Sequence, residues 1–125
     1  ATLQAARATG RRVRAVLQPH RWVRTARQWP ALAQAAALAD EVVVLDVYGA
    51  GELPIAGVSP ELIAERINRL GVPARVDDLA HAEAYFAATA LPGDLVITLG
   101  AGDVWRVAAG LGARAVAAGS PAAGS

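Results

Sequence analysis

Apolar residues in this chain alternate between short continuous runs and longer helical stripes, and that alternation predicts the fold. Residues 1–9 form a first, short helical stretch ended by Gly10. Val13, Ala15 and Leu17 mark a strand stopped by Pro19, which cannot donate to a β-ladder. Thr25 to Leu38 predicts a helix with Leu32, Ala35, Ala36 and Ala39 on one face and Pro30 in its first turns, where proline does least damage. The run Glu41-Val-Val-Val-Leu-Asp46 suits a strand buried on both faces. A Gly- and Pro-rich connection from Tyr48 to Pro60 follows. Ser59-Pro60-Glu61 then opens a helix that runs to Leu70 and closes at Gly71.

Pro73 to Val76 predicts a short strand near a sheet edge, and Asp77 or Asp78 caps a helix through Ala90. Pro92-Gly93-Asp94 turns the chain into the strand Leu95 to Leu99, and Gly100-Ala101-Gly102-Asp103 opens a last helix to about Ala109. Strands alternating with helices predict an α/β class: a Rossmann-like open, mostly parallel sheet with helices on both faces. The spatial order 3-2-1-4 buries the two most apolar runs centrally. It also sets the corners after strands 1 and 4 side by side, at the switch point where such sheets bind ligands. Residues 1–112 form the domain, and residues 113–125, rich in Ala, Gly and Ser, form a flexible tail.

Composition narrows the chemistry. The 125 residues hold no cysteine, so no disulfide or thiolate metal site is available, and two isolated histidines are a poor basis for zinc. No apolar run approaches the roughly 20 residues of a membrane span, and no signal-peptide pattern opens the chain. A cytoplasmic protein with no membrane partner is expected. The chain has no methionine, which points to a cut inside a longer protein. Every cation is an arginine, with seven and no acid in residues 1–39 and five against eleven acids from residue 40 onward. A nucleic-acid partner is disfavoured, because several of these arginines flank a strand and aromatic interleaving is limited to Trp22 and Trp29. A small anionic ligand is the more economical reading.

Three strand-end loops carry the candidate chemistry. Gln18-Pro-His-Arg-Trp-Val-Arg-Thr25 places His20, Arg21, Arg24 and a Thr-type cap within eight residues. Arg21 and Arg24, three apart, would share a helical face and grip a carboxylate or a phosphate. Cations at the positive end of a helix are unfavourable unless an anion compensates. Asp46-Val-Tyr-Gly-Ala-Gly-Glu52 leaves the second strand with Asp46 and Glu52 at either end, and either could receive an ammonium group or neutralise an arginine. Gly100-Ala101-Gly102 has the context of an anion-receiving loop. As a dinucleotide fingerprint it fails, because Trp105 stands where a third glycine belongs. The chain also lacks a phosphate-binding loop, a nucleophile elbow and a metal cluster, so no catalytic residue is placed on it.

Read together, Gln18–Thr25, Asp46–Val58 and Gly100–Asp103 resemble the C-terminal domain of the Mur ligases. Within that family they resemble the branch that joins L-alanine to UDP-N-acetylmuramate. The resemblance implies a ligase of peptidoglycan synthesis, hence cell-wall biogenesis, cell shape and cell division. It implies ATP and Mg2+ as cofactors bound mainly by other domains, an acyl-phosphate intermediate, and a domain that binds the amino acid and closes over the ATP site. On that likeness Arg21 and Arg24, with His20 beside them, hold the L-alanine carboxylate. Gly100, Ala101, Gly102 and Asp103 line the pocket, Asp46, Tyr48 and Glu52 shape its rim, and this chain alone is inactive. Departures from the family are Trp22 in place of a common tyrosine and Ala26-Arg27 in place of a common Arg-Asp pair. Without the resemblance, the residues fit a stand-alone Rossmann-like module for an anionic nucleotide or metabolite.

Overall fold

The four strands pair in parallel in the order β3-β2-β1-β4, as the sequence predicts. The computed structural model describes residues 2–100; the expected last helix, Trp105 and the tail lie outside the described residues. The elements are α1 (Thr2–Arg7), β1 (Val13–Leu17), α2 (Trp22–Ala36), β2 (Glu41–Val44), α3 (Pro60–Arg69), β3 (Ala74–Val76), α4 (Leu79–Thr89) and β4 (Leu95–Leu99). β1 is paired on both sides, with Val16 opposite Val43 and Thr98, and β3 is the edge strand.

Successive strand side chains point to opposite faces, and the two faces carry separate cores. Val13, Ala15, Leu17, Val42, Val44 and Ile97 pack under α1, α2 and α3, meeting Leu3, Ala33, Ala36, Ile63 and Ile67. Val16, Val43, Leu45 and Val96 pack on the opposite face against Ala82 and Phe86 of α4. The crossover through α4 reaches from the edge strand β3 back across to β4, so right-handed connections place it opposite α2 and α3. Each buried Val, Leu, Ile or Phe contributes roughly 1.5–3 kcal/mol, which is what holds so alanine-rich a chain together.

Local signals act as the residue types dictate. Ser59 caps α3 by accepting from the Leu62 N–H at 3.3 Å, with Pro60 at the first helical position. Asp78, rather than Asp77, caps α4, accepting from the His81 N–H at 2.7 Å. That bond is the first cause holding the Asp78 carboxyl below the usual aspartate range.

Two sequence expectations are corrected at α2. The helix begins at Trp22, not Thr25, so Thr25 is no cap: it is buried, and its hydroxyl donates back to the Arg21 carbonyl at 2.7 Å. The earlier start places Pro30 well inside the helix rather than in its first turns. The buried face is Thr25, Ala33 and Ala36; Leu32 is half-buried and Ala35 exposed. The core-facing stripe is therefore rotated from the predicted one.

Among the described residues the largest buried side chain is Arg14, with 1% of its surface exposed. It projects from β1 onto the α4 face. Its Nε donates to Glu41 at 3.1 Å, its Nη2 donates to the Thr89 hydroxyl, and its guanidinium stacks 4.5 Å from the centre of the Phe86 ring. Tyr85 donates its hydroxyl to the same Glu41, and Arg75 lies over the Tyr85 ring at 4.0 Å. Arg12 and Asp94 close the amino end of the sheet with bonds of 3.1 and 2.5 Å. Arg12 is the first cause of a lowered Asp94 pKa, and Asp94 of a raised Arg12 pKa.

Candidate functional site

The carboxyl ends of β1, β2 and β4 are joined by backbone bonds that continue past the strands. The Gln18 N–H donates to the Leu99 carbonyl at 2.9 Å, and the Leu45 N–H to the Leu17 carbonyl at 2.8 Å. Beyond them, the Tyr48 N–H donates to Pro19 at 2.9 Å and the Arg21 N–H to Tyr48 at 2.7 Å, a one-residue parallel bridge between His20 and Tyr48. The His20 and Tyr48 rings stack with centroids 5.0 Å apart. Two of the three predicted loops are thus held in register with each other.

Gly100 ends β4 against this corner. Its φ of +126° suits glycine alone, and a Cβ there would lie 2.4 Å from the Gln18 carbonyl oxygen. Beside it a cleft of about 370 Å³ opens between α2 and the ends of β1 and β4. Leu17, Pro19, Leu32 and Leu99 give its apolar lining, and Gln18, His20, Arg24 and Gln28 its polar groups. Arg24, Gln28, Leu32 and Ala35 follow the i, i+4, i+8, i+11 stripe of one helical face. Of the face predicted to enter the core, Ala36 and Ala39 do so, whereas Leu32 and Ala35 line the cleft.

Sequence reasoning missed Gln28, although its place one turn after Arg24 was available as a signal. Ala101, Gly102 and Asp103, predicted to line the pocket, lie outside the described residues.

Arg21 and Arg24 do not share a face. Arg21 is the N-cap residue of α2, with φ 70° and ψ 137°, so its side chain leaves before the helix begins. Its Nη1 lies 3.7 Å from Glu52, and it does not line the cleft that Arg24 lines. Glu52 also accepts the Trp22 and Val23 N–H groups, at 2.6 and 3.1 Å. The anion needed to offset a cation at this helix start therefore comes from the chain itself. Asp46 is exposed and accepts its neighbour's N–H at 2.9 Å, and Tyr48 is half-exposed; neither they nor Glu52 line the cleft.

Of the other arginines in the basic first third, Arg14 is buried in β1, Arg27 lies on α2, and three sit at the other end of the strands. Arg7, Arg11 and Arg12 surround a shallow hollow with Gly10 and Asp40. Arg7 donates to the Leu38 carbonyl at 2.8 Å and Arg12 is engaged with Asp94. His81 lies 2.8 Å from Asp78 and 3.3 Å from Asp77, at the edge strand and away from the cleft. Among the described residues no helix is long and apolar enough to cross a membrane.

A family model described as the Mur ligase, glutamate ligase domain matches residues 1–102. The chain belongs to this Mur ligase family. Among its relatives is the UDP-N-acetylmuramate–L-alanine ligase of Deinococcus radiodurans, 50% identical over 108 residues, covering 85% of this chain and 22% of that protein. The ligase of the same name from Rhodococcus erythropolis is 53% identical over 94 residues, covering 74% and 18%. That of Desulfosudis oleivorans is 45% identical over 111 residues, covering 86% and 24%. The chain spans about a fifth of the length of the curated relatives it matches. The residues that line the cleft do not fit a magnesium site. Among them there is no carboxylate to ligate the ion.

Proposed function

We propose that this Mur ligase domain holds the carboxylate of L-alanine in the cleft between α2 and the ends of β1 and β4. The whole protein is then an ATP-dependent ligase joining L-alanine to UDP-N-acetylmuramate in cytoplasmic peptidoglycan synthesis, and so serves cell shape and division. The observation that carries this reading is Arg24, the guanidinium lining the cleft, with His20 and Gln28 beside it and an apolar floor below. A planar guanidinium beside apolar walls suits a small amino acid with a carboxylate at one end. The names of the relatives supply the amino acid and its acceptor. Arg21 is placed outside the carboxylate grip, because Glu52 already engages it. ATP and Mg2+ are assigned to other parts of the full-length protein.

In the full-length ligase, Arg24→Ala should raise the KM for L-alanine about 10- to 100-fold, the loss of one charge-assisted hydrogen-bonded contact. Arg24→Lys should recover only part of it, since an ammonium cannot bind bidentately. An unchanged KM for L-alanine in Arg24→Ala would sink the assignment. The 125-residue chain by itself should turn over no ATP, and measurable turnover by the purified chain would contradict this division of labour.

A further inference from the structure

We propose that Glu52 is a positioning residue for Arg24, acting through the first turn of α2 and not by touching substrate. This rests on the reading of the cleft as the L-alanine site. Helix α2 starts without any cap of its own: Arg21 stands at the N-cap with φ 70°, and its side chain caps nothing. A residue other than glycine held there is strained, and the first helical N–H groups need an acceptor. Glu52 meets both needs from thirty residues away. One oxygen accepts the Trp22 and Val23 N–H groups, and the other faces the Arg21 guanidinium.

Glu52 is itself fixed. Its N–H closes a turn onto the Gly49 carbonyl at 3.0 Å, through Ala50 and Gly51 at positive φ. A Cβ on Gly49 would lie 3.0 Å from the Trp22 indole nitrogen and 3.2 Å from the Glu52 carbonyl oxygen. The loop after β2 and the start of α2 therefore interlock closely, and Trp22 is part of the lock. Arg24 lies one turn into the helix that this lock anchors, and its backbone direction is set by where the first turn begins. His20, on the other side of the strained residue, is tied to the same loop through Tyr48.

Steady-state kinetics of the full-length ligase test this with four variants. Glu52→Ala should raise the KM for L-alanine about tenfold, the factor equivalent to about 1.4 kcal/mol for a lost helix cap. The KM values for ATP and UDP-N-acetylmuramate should stay within about twofold. Glu52→Gln should fall within about threefold of the parent, because its amide oxygen can accept the same two N–H bonds. Glu52→Asp keeps the charge but is a methylene too short, and should behave like Glu52→Ala. The double variant Glu52→Ala/Arg24→Ala should be no worse than Arg24→Ala alone.

If Glu52 met the L-alanine ammonium directly, Asp would outperform Gln, and that ranking overturns the proposal. Should Glu52→Ala fail to fold, the Gln and Asp variants still give the ranking. An effect of Arg24→Ala without one of Glu52→Asp overturns this proposal alone. No effect of Arg24→Ala overturns the alanine reading and this proposal with it.

Discussion

Replacing Glu41 should damage this domain more than replacing Arg14, although Arg14 is the more buried of the two. Arg14 has 1% of its side chain exposed, and Glu41 has 19%. In Glu41→Leu the guanidinium keeps Phe86, Tyr85 and Thr89 but loses its closest counter-charge, leaving Asp94 at 3.8 Å. Its Nη1 already has no hydrogen-bond partner among the described residues. The Tyr85 hydroxyl loses its acceptor as well. An uncompensated buried charge of this kind costs about 3–5 kcal/mol. The remaining Asp94 and the partial exposure at the site bring the expectation to about 2–4 kcal/mol.

Arg14→Met keeps the unbranched apolar stem against Phe86. It leaves Glu41 partly in water with Arg75 at 4.0 Å, so about 1 kcal/mol is expected. The double variant Arg14→Met/Glu41→Leu should then be more stable than Glu41→Leu alone, with a coupling of about 1–3 kcal/mol. Urea unfolding of the 125-residue chain, followed by tryptophan fluorescence and circular dichroism, reads this as shifts in midpoint at constant slope. Equal losses in the two single variants, or strictly additive losses in the double, would refute the argument.

Three other perturbations probe the frame around the site. Gly100→Ala combines a positive φ with a contact of 2.4 Å to the Gln18 oxygen. It should cost about 1–3 kcal/mol, read as a lowered Tm, and raise the KM for L-alanine in the full-length ligase. Ser59→Ala removes the α3 cap and should cost about 1 kcal/mol in urea midpoint without touching that KM. The Asp94 pKa is lowered, so its contribution to stability is full above the ordinary aspartate value near ~3.9 and is lost as pH falls through the folded-state value. Acid unfolding of Asp94→Asn should accordingly show a shallower fall in stability below about pH 4 than the parent. An identical slope would remove Asp94 from the cause.

The architecture was legible because each signal was local or periodic. Continuous valine runs, proline stops and a serine-proline helix start act over a few residues, and the alternation of strand and helix restricts the sheet to a handful of orders. Sequence resemblance likewise located the corner at His20 and Arg24, the loop at Tyr48, and Gly100 beside them. What those patterns could not carry was the rotation and starting point of α2. Thr25 reads as a cap from its residue type, yet the cap comes from Glu52, and no spacing along the chain reveals a bond across thirty residues. The way α2 packs on the sheet keeps Ala36 and Ala39 in the core but leaves Leu32 and Ala35 on the cleft with Gln28.

The same limit applies to charge. Arg14 is one cation among seven in a basic stretch, and the pairing of β1 with β2, which sets it opposite Glu41, gives it the closest counter-charge in its burial. Arg21 and Arg24 are neighbours in sequence, but positive φ at one residue sends them to different partners. By itself the sequence determined the class of fold, the order of strands and the family, since these rest on periodicity and residue type. Tertiary structure alone decided which arginine faces an internal carboxylate and which lines the cleft, because long-range contacts set that balance.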